Sequence, residues 1–173
     1  MNKSALNILL SSLILIPAQA IFFNNMVLFH VALPIVFIYT IITLPVSYSA
    51  VAAMTVGFAS GLAVDILSDT AGMNALACTL IAFLRLPFFH LYVPGDIELN
   101  DQRPSLSNIG AAAFMKYAFT MIFFYYLVLF GIELVQVFNF KLFVLRVIAG
   151  SIFSFIIIFA IAAVAVPKRE KKI

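Results

Sequence analysis

The sequence predicts an all-α membrane protein of six transmembrane helices, and three observations predict it. Hydrophobic residues fill 65% of the 173 positions and charged residues 10%, against roughly 25% charged in a soluble domain. The apolar residues fall in six stretches, at about 4–23, 27–44, 47–68, 73–92, 109–132 and 142–166, each near the ~20 residues that cross ~30 Å of hydrocarbon. Each stretch is apolar on every face, whereas barrel strands would be about ten residues long with polar residues alternating. Residues 1–173 therefore form a single integral membrane domain, with no room for a separate soluble one.

The first stretch imitates a secretory signal, with Lys3, the run ILLSSLILI and then Ala18-Gln19-Ala20 as a small-residue cleavage site. The apolar run continues through Ile21, Phe22 and Phe23 to a turn at Asn24-Asn25, so an uncleaved helix is expected. Pro34 and Pro87 lie inside the second and fourth stretches and Pro45 ends the second. Such prolines kink helices, and the freed carbonyls need partners inside the bundle. Residues 93–108, VPGDIELNDQRPSLSN, are the one long polar segment; Ser105 or Ser107 is placed to cap the fifth helix. The net charge of +3 comes largely from the tail at 167–173, a cytoplasmic anchor rather than a nucleic-acid patch.

Lysine and arginine in short loops set orientation. With both termini in the cytoplasm, Lys3, Arg103, Lys168, Arg169, Lys171 and Lys172 lie inside, and Lys141 alone lies in an outer loop. The loop at 93–108 is then cytoplasmic. Asp65, Asp69, Glu133, Lys141 and Arg146 gather near the outer face, while Arg85 and Lys116 fall in the inner half.

Charges within or at the ends of spans are the first functional candidates in a membrane protein. In the third stretch Ser49, Ala53, Gly57, Gly61 and Asp65 recur every fourth residue, one narrow helical stripe of small side chains ending in a carboxylate. Gly57-x-x-x-Gly61 permits close helix approach, and helix packing alone is the bland reading. Beyond Asp65, Ser68-Asp69-Thr70-Ala71-Gly72 brings polar groups together at a helix end and glycine turn. Depth alone suggests that Asp65 pairs with Arg146. Arg85 either snorkels to the inner interface or caps carbonyls released at Pro87, and Lys116 is expected to snorkel.

The single cysteine, Cys78, excludes a disulfide framework and a thiolate metal site. His30 and His90 have no ligand spacing around them, so no metal is expected. There is no G-x-S-x-G elbow, no Cys–His pair and no phosphate-cradling glycine loop. An enzyme is therefore not expected, nor is a cofactor.

The residues around Asp65 resemble the rod-shape-determining MreD family, particularly its Bacteroidetes forms. The family signature, like G-L-x-x-D-x-x-S-x-x-x-G-x-x-A-L, is matched by Gly61, Leu62, Asp65, Ser68, Gly72, Ala75 and Leu76. The likeness continues through AFLRLPFF, the loop with Gly95-Asp96 and Glu98, and Pro104-Ser105 with Gly110. Gln19, Asn25, Pro34, Tyr39 and Leu44-Pro45 also fit its first two helices. One departure is Leu86, which separates Arg85 from Pro87 where the family has arginine and proline adjacent.

The resemblance implies a six-helix bacterial inner-membrane protein of the cell-elongation machinery. It would bind the bitopic protein MreC and help couple the MreB cytoskeleton, with RodZ, to RodA and penicillin-binding-protein synthases of peptidoglycan. It further implies a fold similar to the S components of energy-coupling-factor vitamin transporters. The expected function is thus a non-enzymatic membrane scaffold, contacting lipid and partner helices but no nucleic acid, with a homodimer as a further option. Its expected contact and structural residues are Gly57, Gly61, Asp65, Ser68, Gly72, Arg85 and Arg146. The alternative is an S-component-like carrier of a small molecule such as a vitamin, which needs a closed outer cavity with convergent polar groups.

Overall fold

The computed structural model describes residues 12, 14–19, 21, 33–93, 103–136 and 139–165. No strand occurs among them, and residues 14–18 are α-helical. A single helical turn, α1 (Tyr39–Ile42), precedes four long helices: α2 (Ala50–Ser68), α3 (Met73–Tyr92), α4 (Ala111–Gln136) and α5 (Phe140–Val164). These four are each long and apolar enough to cross a membrane. The tail at 167–173 and the acids Asp96, Glu98 and Asp101 lie outside the described residues, as does His30.

In chain order α2 packs on α3, α3 on α4, and α4 on α5; short connections join the first and last of these pairs, and the long polar segment 93–110 joins α3 to α4. One end carries the α2–α3 turn and the α4–α5 connection. A cavity at that end is lined by Ser68 and Met73 together with Leu129 and Glu133, which brings the two hairpin tips to the same side.

The α2–α3 hairpin is made by side chains too small to keep the helices apart. Ala53, Gly57, Gly61 and Asp65, the four-residue stripe, are all buried. A Cβ on Gly57 would sit 2.7 Å from the Cys78 carbonyl oxygen, and one on Gly61 would sit 2.5 Å from that of Asn74 and 2.6 Å from Ala75 Cα. Backbone meets backbone there, the close approach that small residues allow in lipid. Ser49 caps the start of α2, its hydroxyl accepting from the Ala52 amide. At the other end Asp69 turns left-handed at φ 53°, a conformation aspartate tolerates better than most residues, and Gly72 follows at φ 80°.

The fourth and last stretches become helices within two residues of the expected bounds. The second does not. Of the helix expected at 27–44, the described part is irregular at 33–38 and helical only over Tyr39–Ile42. Pro34 biases Leu33 toward extended backbone and Pro45 closes the run. Between them lie the β-branched residues Ile35, Val36, Ile38, Thr40, Ile41, Ile42 and Thr43, which are weak helix formers. The segment is nonetheless the heart of the core: Ile35, Val36, Phe37, Ile38, Ile41, Ile42 and Leu44 are at most 2% exposed. Irregular backbone survives at membrane depth only where protein encloses it and answers its polar groups.

Those groups are answered from distant helices. Gln19 accepts from the Val36 amide through Oε1 at 2.8 Å and donates through Nε2 to the Pro34 carbonyl at 2.9 Å. Ser154 on α5 accepts from the Ile35 amide at 2.7 Å. Tyr126 on α4 donates to the Leu33 carbonyl and lies 2.6 Å from the Ser154 hydroxyl. Tyr117 donates to the Ile42 carbonyl at 3.4 Å. Sequence reading placed caps elsewhere too: Ser105 and Ser107 bond each other at 3.0 Å instead of capping α4, whose first turn closes on the Gly110 carbonyl.

Candidate functional site

Asp65 begins one helical turn before the end of α2 and is 3% exposed. Its Oδ1 accepts from the Thr70 hydroxyl, from the Asn74 amide at 3.2 Å and from Asn74 Nδ2 at 2.8 Å; Oδ2 accepts from the Ala75 amide at 2.8 Å. The carboxylate therefore closes the first turn of α3, where unsatisfied amides and the positive end of the helix dipole favour an anion. A buried acid needs no cation when four donors surround it. Asn74 in turn accepts from the Tyr125 hydroxyl on α4, extending the network to a third helix.

The expected Asp65–Arg146 pair is not formed. Arg146 pairs instead with Glu133, joining α5 to α4, and its guanidinium carbon lies 5.6 Å from the centre of the Phe130 ring. The two partners are near in the fold because α4 and α5 form a hairpin with Glu133 and Arg146 on either side of its turn. Asp65 already has its donors, so depth alone did not select the partner. Asp69 and Lys141 are exposed at the same end.

Arg85 is 1% exposed, so it does not snorkel. Its Nη1 donates to the carbonyls of Leu44 at 2.6 Å and Pro45 at 2.9 Å, and Nη2 to that of Tyr48 at 3.2 Å. The guanidinium thus caps carbonyls, as expected, but those where the irregular core segment turns into α2 rather than those beside Pro87. Its Nε has no partner among the described residues. Lys116 is exposed, as a snorkelling lysine should be.

Of the candidate residues, Gly57, Gly61, Asp65 and Gly72 meet in the α2–α3 hairpin. Ser68 lines the neighbouring cavity, Arg146 stands on α5, and Arg85 belongs to the far half of α3. The glycine stripe packs against α3 of the same chain, as the helix-packing reading expects. Asn74, Tyr125, Tyr126 and Ser154 escaped sequence reading. Asn74 and Ser154 carried a usable signal, since a polar side chain inside an apolar helix needs a partner.

Between Leu33–Phe37, the α2–α3 turn and α4 lies a cavity of about 350 Å³, within the range of small-molecule sites. Its polar wall is formed by Gln19, Ser68, Thr70, Asn74 and Glu133, its apolar wall by residues such as Phe37, Val64 and Leu129. No group of three or more His, Cys, Asp or Glu residues suited to a metal occurs among the described residues. Comparison with family models, curated proteins and solved structures gives no match, so geometry and chemistry carry the functional reading.

Proposed function

We propose that this chain is a non-enzymatic membrane scaffold of the MreD type, seated in the bacterial inner membrane with both termini in the cytoplasm. In this reading it binds an MreC-like bitopic protein and helps couple the MreB cytoskeleton to peptidoglycan synthesis. The observation that supports it most is the economy of the Asp65 hairpin: the signature residues Gly61, Asp65 and Ala75 are used on one another. A corner built for rigidity holds helix faces in fixed relation, which is what a scaffold needs. The lipid-facing sides of α2 to α5 are left to contact partner helices.

A carrier of a polar vitamin is less well supported. Such a site needs free hydrogen-bonding groups converging on the ligand, and Gln19, Thr70 and Asn74 on the cavity wall are directed at protein groups. Affinity purification of the native complex tests the scaffold: a single-span protein with a periplasmic domain is expected to co-purify, and depletion is expected to alter cell width. Normal shape and growth on depletion, with no bitopic partner recovered, would overturn it. Orientation has its own test, because Cys78 is buried and gives little background. A membrane-impermeant maleimide applied to spheroplasts should label Asp69→Cys and spare Lys171→Cys.

A further inference from the structure

The cavity beside Leu33–Phe37 poses a physical problem that its own residues narrow. About 350 Å³ is room for roughly a dozen water- or methylene-sized groups. A cluster of waters needs two to four polar partners each, and the described residues of the wall offer few. Gln19 uses its amide oxygen on Val36 and its amide nitrogen on Pro34. Thr70 donates to Asp65 and accepts from Asn74, and Asn74 accepts from Tyr125. Ser68 is engaged within the protein as well. One acceptor stands apart: Glu133 gives Oε1 to Arg146, and its Oε2 accepts no hydrogen bond among the described residues.

We propose that the cavity binds a neutral single-chain amphiphile, its apolar tail against Phe37, Val64 and Leu129 and a hydroxyl head donating to Glu133 Oε2. The head group follows from charge. Arg146 already neutralises Glu133, whose side chain is a third exposed, so a cationic head would find no uncompensated charge to pair with. An anionic head would meet the Glu133 carboxylate, while Gln19, Thr70 and Asn74 already donate to protein groups. A hydroxyl needs one acceptor, and one is present. The tail follows from the wall, whose described residues are apolar wherever they are not already hydrogen-bonded. This inference stands apart from the scaffold reading: either can fail alone.

The test uses the full chain in nanodiscs with three photoactivatable probes of one length, a diazirine-bearing decanol, decanoic acid and decylamine. The alcohol is expected to label Met73 and Leu129 about tenfold more than lipid-facing Ile148 and Ile152, the ratio that corresponds to ~1.4 kcal/mol of preference. Unlabelled decanol should compete that labelling away on the unaltered protein. Val64→Phe, which fills the space, should abolish labelling at Leu129 while the background on α5 persists. Uniform labelling along all helices, or labelling at Leu129 that decanol does not displace, would overturn the site. Equal labelling by the acid or the amine would overturn the hydroxyl head.

Discussion

The α2–α3 hairpin and the core segment at 33–48 solve the same problem by opposite means. Both bury backbone where water is scarce. In the hairpin the donors and acceptors lie close in sequence: Asp65 reaches Thr70, Asn74 and Ala75, and the glycines need nothing but the facing helix. In the core segment the partners come from Gln19, Arg85, Tyr117, Tyr126 and Ser154, which stand on other elements. The hairpin is a local construction that the rest of the bundle receives. The core segment has its conformation only because the other helices are already in place, so damage should spread differently from the two.

Removing the guanidinium of Arg85 should produce the largest effect. Arg85→Met leaves the carbonyls of Leu44 and Tyr48 without donors and leaves that of Pro45 with the Tyr48 amide alone. At about 1–3 kcal/mol for each orphaned group the loss should total ~3 kcal/mol or more, read from reversible unfolding in mixed micelles. Arg85→Lys should recover only part, because one ammonium cannot span the three acceptors as a planar fork does. Equal stability of wild type and Arg85→Met would mean that the segment holds itself.

Gly61→Ala should come next, at about 2–3 kcal/mol by overpacking, since the new methyl would meet the Asn74 carbonyl oxygen and Ala75 Cα rather than a movable side chain. Gly131→Ala is the control, because nothing lies within 4 Å of a Cβ there, and it should leave stability unchanged or slightly raised. Asp65→Asn keeps the shape and removes the charge from four hydrogen bonds; a loss of about 2 kcal/mol is expected, with fraying of the first turn of α3 seen by amide exchange at Asn74 and Ala75.

Ser154→Ala should be the smallest, about 1 kcal/mol, in keeping with single hydrogen bonds in membrane bundles. Its signature is spatial. The Ile35 amide, 2.7 Å from the lost oxygen, should exchange faster while the α2–α3 turn keeps its protection. Faster exchange in both regions would erase the distinction between a locally built hairpin and a segment held from outside.

Much of the candidate site was legible before any coordinates. The stripe from Ala53 to Asp65 is a four-residue repeat, and a helix puts such residues on one face whatever surrounds it. That the acid would face protein or water rather than lipid also followed from its position in an apolar run. Which donors was not legible: Asp65 and Arg146 share a depth, yet Thr70 and Asn74 lie nearer once the chain turns at Asp69. Arg85 was legible as a capping group, but its acceptors lie forty residues away, beyond the reach of any local pattern.

By itself the sequence determined that four apolar stretches would be long helices, with α3 at its expected bounds and α2, α4 and α5 within four residues of theirs. Hydropathy and spacing report burial and helical faces directly. Only the tertiary structure decided that residues 33–38 would be an irregular, buried segment rather than part of a long helix. Its hydropathy is that of a buried segment in either case, because transfer from water depends on the side chains. Backbone conformation at that depth depends on who supplies the hydrogen bonds, and here Gln19, Ser154, Tyr126 and Arg85 supply them.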